Sequence, residues 1–157
     1  MQPEHEEIVK EVLRDILSHM DINLAEIQTQ VSEETVVFNL RTADSGILIG
    51  GRGANLVALQ HMARLLVHKR LSEPLNFVVD VEGYKQSREE FLRELARQAA
   101  DRVRETKEGV LLKPMQAFER RVVHSELSKF SDIVTESSGE EPERRVLIKL
   151  KDTGNSN

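Results

Sequence analysis

A two-domain α+β fold is predicted for this 157-residue chain. Three observations carry the prediction. Apolar residues recur at helical spacing in some windows and alternate in others, and the two patterns follow one another through both halves of the sequence. A Gly-Tyr pair at residues 83–84 separates those halves. The composition, 39% apolar and 31% charged, is that of a globular protein with a core rather than of a disordered chain.

The elements follow in order. Ile8, Val9, Val12, Leu13, Ile16, Leu17 and Met20 lie at helical spacing, so residues 4–19 are expected to form an amphipathic helix. Ala25 to Val31 and Glu34 to Arg41 read as strands; in the second, Val36, Phe38 and Leu40 alternate with Val37, Asn39 and Arg41. Ser45 to Ile49 suits a short helix. After Gly50-Gly51-Arg52-Gly53, a longer helix runs from Ala54 to about Lys69, with Leu56, Leu59, Met62, Ala63 and Leu66 as its buried face. Leu75 to Glu82 closes the first domain as a strand with Phe77, Val79 and Val81 on one face. The order is α-β-β-α-α-β over residues 1–83.

The second domain is expected over residues 84–151. Ser87-Arg88-Glu89-Glu90 reads as a capping box, or as first-turn acid if the helix begins sooner. Leu92, Leu95, Ala96, Ala99 and Val103 form the stripe of that helix, which ends near Gly109. Val110 to Lys113 reads as a short strand. Pro114 is placed at or near the first turn of another helix, with Met115, Phe118, Val122, Val123 and Leu127 on its apolar side. Ile133 to Glu136 and Arg145 to Leu150 read as a closing pair of strands, and residues 152–157 as a disordered tail.

Composition also narrows the function. The chain has no cysteine, which excludes disulfides, thiolate metal sites and cysteine nucleophiles. No apolar run approaches the roughly 18 residues of a membrane span, and residues 1–7 lack the basic and apolar regions of a secretory signal, so a cytoplasmic location is expected. The net charge of −5 does not favour nucleic acid, but it is unevenly spread. Between Asp44 and Arg70, Arg52, Arg64, Lys69 and Arg70 face Asp44 alone, a balance of +3. The first twenty residues hold Glu4, Glu6, Glu7, Glu11 and Asp15 against Lys10 and Arg14, a balance of −3.

The tetrapeptide Gly50-Gly51-Arg52-Gly53, set between two helices, is the most informative segment. Without Cβ atoms its glycines let an anionic backbone reach main-chain N–H groups at a helix N-terminus. KH domains clamp single-stranded nucleic acid with such a G-x-x-G loop, and the element order around Ile49–Gly53 resembles a type II KH domain. Downstream, Arg120-Arg121-Val122-Val123-His124 resembles the motif of the Arg-three-His domain, a small binder of single-stranded nucleic acid. Leu112-Lys113-Pro114-Met115, residues 135–142 and Arg144-Arg145-Val146 match around it.

A KH domain followed directly by an Arg-three-His domain resembles the bacterial Jag family, the SpoIIIJ-associated proteins, over residues 4–150. Many members carry a further N-terminal Jag domain and linker; this sequence begins at the KH helix and is read as lacking them. Members often hold two basic residues in the loop, where Gly51 leaves Arg52 alone. The resemblance implies binding of single-stranded RNA, with single-stranded DNA as an alternative, and a role in cell-wall synthesis and division. It also implies a partner KH protein or a homodimer.

The expected nucleic-acid contacts are Ile49, Gly50, Gly51, Arg52, Gly53 and Leu56 in the first domain, and Arg120, Arg121, His124 and Arg145 in the second. Ile47, Ile49 and Leu56 line a groove or belong to the core. Arg120 and His124, at i and i+4, share a helix face, either as a phosphate contact with a titrating hydrogen bonder or as an ordinary surface. Lys113 and Arg144 are further candidates; Arg144 and Arg145 point to opposite faces, so one of them at most joins the site. Arginines 88, 93, 97, 102 and 104 alternate with acids and read as a salt-bridged face. No catalytic constellation, metal spacing or cofactor motif is present in the sequence. The competing reading is a protein-interaction adaptor that pairs through the KH domain.

Overall fold

The computed structural model describes residues 1–32 and 35–152. Glu34, expected to start a strand, and the tail expected beyond Asp152 lie outside them. The elements are α1 (Pro3–His19), β1 (Leu24–Ser32), β2 (Thr35–Thr42), α2 (Ser45–Ile49), α3 (Ala54–Leu71), β3 (Phe77–Val81), α4 (Tyr84–Thr106), β4 (Val110–Leu111), α5 (Ala117–Leu127), β5 (Ile133–Ser138) and β6 (Arg145–Leu150). The fold class is α+β. Two compact units divide the chain, Met1–Lys85 and the residues from Gln86 onward. No helix among the described residues is long and apolar enough to cross a membrane.

In the first unit, β2 is the central strand of a β1-β2-β3 sheet, antiparallel to β1 and parallel to β3. The alternation in β2 puts Val36, Phe38 and Leu40 into the core beside Phe77, Val79 and Val81, all at most 6% exposed. Phe38 and Phe77 meet edge to face, with centroids 5.9 Å apart, a geometry worth about 1 kcal/mol beyond the area it buries. Helices α1 and α3 cover this face through Val9, Val12, Leu13 and Leu17, and through Leu56, Leu59, Ala63 and Val67.

Met62 and Leu66 are not part of that buried face: they are 52% and 39% exposed. The core takes the narrow 56-59-63-67 row, and the neighbouring apolar row of α3 is left at the surface. Strand β2 leads into α2 through a polar knot. The Thr42 hydroxyl donates to the Asn23 carbonyl (2.7 Å) and accepts from the Asp44 N–H (3.1 Å), while the Thr42 N–H donates to Glu82 Oε1 (2.7 Å). These bonds fix where α2, and hence the glycine loop, leaves the sheet.

Helix α4 begins at Tyr84, before the capping box expected at Ser87. The start is set from the preceding strand, since buried Asp80 accepts the Lys85 N–H through Oδ1 (3.2 Å). In the second unit the sheet order is β4-β6-β5, all antiparallel. Its core joins Leu92, Ala96, Ala100 and Val103 of α4 to Val123 and Leu127 of α5 and to Ile133, Val146 and Ile148 of the sheet.

Pro114 lies outside α5 rather than in its first turn. The helix starts three residues later because Gln116 and Glu119 form a reciprocal capping box, Glu119 Oε2 accepting the Gln116 N–H at 3.0 Å. The glutamate does more than cap. It is fully buried, and its other oxygen accepts from Arg88 Nε of α4 at 2.7 Å.

Candidate nucleic-acid interface

The loop between α2 and α3 is shaped by its backbone. Gly50 has φ 70° and ψ −178°, a region open in practice only to glycine, and Gly53 is left-handed at φ 78°. Between them Arg52 also takes the left-handed conformation (φ 54°, ψ 28°), which presents its exposed side chain beyond the loop. Gly53 is the N-cap of α3 and has no side chain to accept the first helical N–H groups, which leaves the positive end of the helix dipole without a side-chain cap.

Two side chains that the sequence did not assign to this loop brace it. Asn55 Nδ2 donates to the Ile47 carbonyl (2.8 Å), and a Cβ on Gly50 would fall 2.5 Å from Asn55 Cγ. On the other side, a Cβ on Gly53 would fall 3.0 Å from the ring of Tyr84. Gly51 differs from both: the space where its Cβ would stand is open. The two outer glycines are therefore demanded by conformation and contact, and the inner one is not.

The basic residues between Asp44 and Arg70 are partly engaged by the protein itself. Arg70 is bound by Glu11 (3.2 Å) and Asp15 (2.7 Å) of α1, and Arg64 donates to the Phe77 carbonyl (3.0 Å). Arg70 thus meets the acidic first helix in space, and Arg52 is the cation set in the loop itself. Ile49 is partly buried against the core and Leu56 is only 3% exposed, so Leu56 is a core residue and not a groove lining. The exposed aliphatic group beside the loop is Ile47, which with Met20, Ala58 and Met62 lines a cavity of about 320 Å³.

In the second unit, Arg120 and His124 share a face of α5, and both are engaged by the protein itself. Arg120, 7% exposed, donates through Nη1 to the Met115 carbonyl and through Nη2 to Glu141 Oε1, each at 2.6 Å. His124 sits between two hydroxyls of β5, with Nδ1 2.6 Å from Thr135 Oγ1 and Nε2 2.9 Å from Ser137 Oγ. Burial holds the imidazole below its ordinary pKa, and the nearby Arg120 guanidinium pushes the same way.

Thr135 falls in the strand expected over Ile133–Glu136, whereas Ser137 lies beyond its expected end and is brought in because β5 runs on to Ser138. The signal that would have added them to the site is that both face the helix carrying His124. Arg121 and Lys113 are exposed. Arg145 is corrected by register. It pairs with Ser138, one step from the Ser137–Val146 pair, and Val146 faces the core on the α5 side, so Arg145 points to the opposite face. The Arg144 Nη1 donates to the Gly139 carbonyl (2.8 Å). Among the described residues no group of His, Asp or Glu is placed to hold a metal.

Comparison with known sequences matches a family to each unit. The KH-domain family of KhpA and KhpB matches residues 6–81, and the Arg-three-His domain family matches residues 90–150. This is a Jag/KhpB-like protein. It is 41% identical over 125 residues to the RNA-binding protein KhpB of Clostridium symbiosum, a match covering 80% of this chain and 56% of that protein. Identity to RNA-binding protein KhpB of Bacillus subtilis is 34% over 129 residues, covering 81% of this chain and 62% of the relative. For the namesake of Lactiplantibacillus plantarum the values are 32% over 127 residues, 81% and 39%. The chain thus spans between 39% and 62% of the length of these relatives.

Proposed function

We propose that this protein binds single-stranded RNA without catalysis, holding the phosphate backbone at two places. The observation that carries the reading is the glycine loop: two conformationally required glycines, an exposed Arg52 and a helix N-terminus without a side-chain cap stand within four consecutive residues. The helix of the Arg-three-His unit supplies a second grip, in which Arg120 and His124 meet phosphate with Thr135 and Ser137 behind the imidazole. The relatives' name as RNA-binding proteins supports the ligand class. Tethering two weak modules raises effective concentration and tightens binding when one strand reaches both. In the cell, the reading extends to post-transcriptional regulation linked to cell-wall synthesis and division.

Fluorescence anisotropy with labelled single-stranded RNA, single-stranded DNA and duplex, at two salt concentrations, tests it. The double variant Gly51→Asp/Arg52→Asp and the pair Arg120→Ala/His124→Ala are each expected to weaken single-strand binding. Binding that survives with all four positions changed would sink the mechanism.

A second reading rests on a different observation. Met20, Met62, Leu65 and Leu66 are 49%, 52%, 57% and 39% exposed, and α1 and α3 enclose beside them an apolar cavity of about 660 Å³. An apolar surface of this kind on a small domain suits association with a second KH domain, as a homodimer or with a partner protein. Light scattering on the eluting protein is expected to show a dimer that Met62→Asp converts to monomer. A wild-type monomer at tens of micromolar would argue against self-pairing.

A further inference from the structure

We propose that Glu141 is an internal stand-in for the nucleic-acid phosphate on Arg120, so that binding at the Arg-three-His unit proceeds by exchange of one anion for another. This rests on the reading that Arg120 contacts phosphate. Arg120 is held at two points of very different permanence. Its Nη1 is bound to the Met115 carbonyl, part of a main chain that is itself pinned, because the Met115 N–H donates to the Arg144 carbonyl (3.2 Å). Its Nη2 is bound to the Glu141 carboxylate, whose side chain is 59% exposed against 9% for the arginine.

The turn that carries Glu141 closes without that carboxylate. The Glu143 N–H donates to the Glu140 carbonyl (2.9 Å), and Arg144 Nη1 donates to the Gly139 carbonyl (2.8 Å). Glu141 can therefore swing into water while the turn, α5 and the Met115 contact stay in place. A phosphate offers Nη2 an oxygen acceptor of the same sign of charge in place of Glu141 Oε1. The buried arginine remains compensated before and after the exchange, so its positive charge is never left alone in a dry site.

The exchange has a functional consequence. The carboxylate is attached and always present, so a free anion competes poorly against it. A phosphate on a strand already held at the glycine loop arrives at a high effective concentration and competes well. Glu141 thereby sets the Arg-three-His unit to favour strands engaged at both units over strands engaged at one.

The test uses the full chain labelled with nitrogen-15 and follows the Arg120 side-chain N–H signal as inorganic phosphate is added. That signal is assigned by its loss in Arg120→Lys. Glu141→Gln keeps the shape and removes the competing charge. It is expected to lower the half-saturating phosphate concentration by about two- to five-fold, the range an exposed ion pair allows. Glu141→Ala should act in the same direction, and urea titration of both variants verifies the fold. Glu140→Gln removes an equal charge one residue away and is expected to change the midpoint by less than half as much.

Equal gains in Glu140→Gln and Glu141→Gln would mean that only general charge matters, and would overturn the proposal. So would a Glu141→Gln midpoint that is unchanged or weaker, or an Arg120 signal that phosphate moves in no variant. Parallel anisotropy with labelled single-stranded RNA separates the two readings. Phosphate exchange at Arg120 without RNA binding by wild type or variants leaves Glu141 in its role and removes the proposed ligand. RNA binding with no phosphate gain in Glu141→Gln removes the role of Glu141 alone.

Discussion

The glycine loop of the first unit and the Arg120–His124 helix of the second, the two proposed grips on phosphate, are built in opposite ways. In the loop the main chain does the work: Gly50 and Gly53 set the path, α3 supplies N–H groups, and one exposed cation, Arg52, is added. In the second unit the polar side chains are already satisfied by the protein, Arg120 by Met115 and Glu141, His124 by Thr135 and Ser137. A site made of backbone can lose a side chain and keep its shape. A site made of a half-buried polar network cannot, so substitutions there act on folding as well as on ligand. The comparison is sharpened by variants that separate these two effects.

The largest expected effect lies in the network. Glu119 is fully buried and paired to Arg88 at 2.7 Å. Removing one partner of such a pair leaves the other charge uncompensated, at a cost of about 3–5 kcal/mol. Arg88→Ala is therefore expected to lower the stability of the second unit by several kcal/mol in urea titration, and Arg88→Met/Glu119→Leu to recover much of the loss. A destabilisation under about 1 kcal/mol for Arg88→Ala would show that solvent screens the pair, as it does at the surface.

Next come the glycines, whose separation breaks the loop into parts that need glycine and a part that does not. Gly50→Ala places a Cβ 2.5 Å from Asn55 Cγ in a conformation alanine avoids, and should cost about 1–3 kcal/mol and most of the loop's RNA affinity. Gly51→Ala meets open space and should alter neither. Gly51→Arg should add one phosphate contact, raising affinity at low salt and steepening the log–log salt dependence by about 0.7 for a single strand. If Gly51→Arg leaves that slope unchanged, the loop does not face phosphate.

The same contrast explains what the sequence disclosed. The order α-β-β-α-α-β and the inward residues of β2 and β3 were legible because a sheet covered on one face writes its burial as a period of two. The loop was legible because glycines at fixed spacing record a backbone demand. Met62 and Leu66 were misjudged because periodicity reports an apolar row without saying what covers it, and α3 carries one row more than its own core accepts. Arg120 was read as a surface contact because its charged partner is distant in sequence: Glu141 lies 21 residues away. Burial of a charged side chain is decided by such remote partners, and a local window does not contain them. Asn55 was not assigned to the loop, and Tyr84 was read only as a boundary, for the same reason: the contact each makes beside a glycine is not written in its local sequence.

The smallest effect is the most diagnostic of the network. Burial first, and Arg120 second, hold His124 below its ordinary pKa, so the folded state favours the neutral ring. As pH falls through about 6.5 the unfolded chain takes up a proton before the folded one does, and the stability of the second unit drops in that window. Ligand works in the other direction, because phosphate beside the ring favours its charged form. Once both ring nitrogens donate, Thr135 and Ser137 accept from the ring, and their own hydroxyl protons are released toward the ligand. Lowering the pH from about 7.5 to about 5.5 should thus weaken the fold and tighten RNA binding together, and His124→Gln should flatten both trends. A variant that loses the stability trend but keeps the full affinity trend would place the titrating group outside His124. One that keeps both would remove the imidazole from the mechanism altogether.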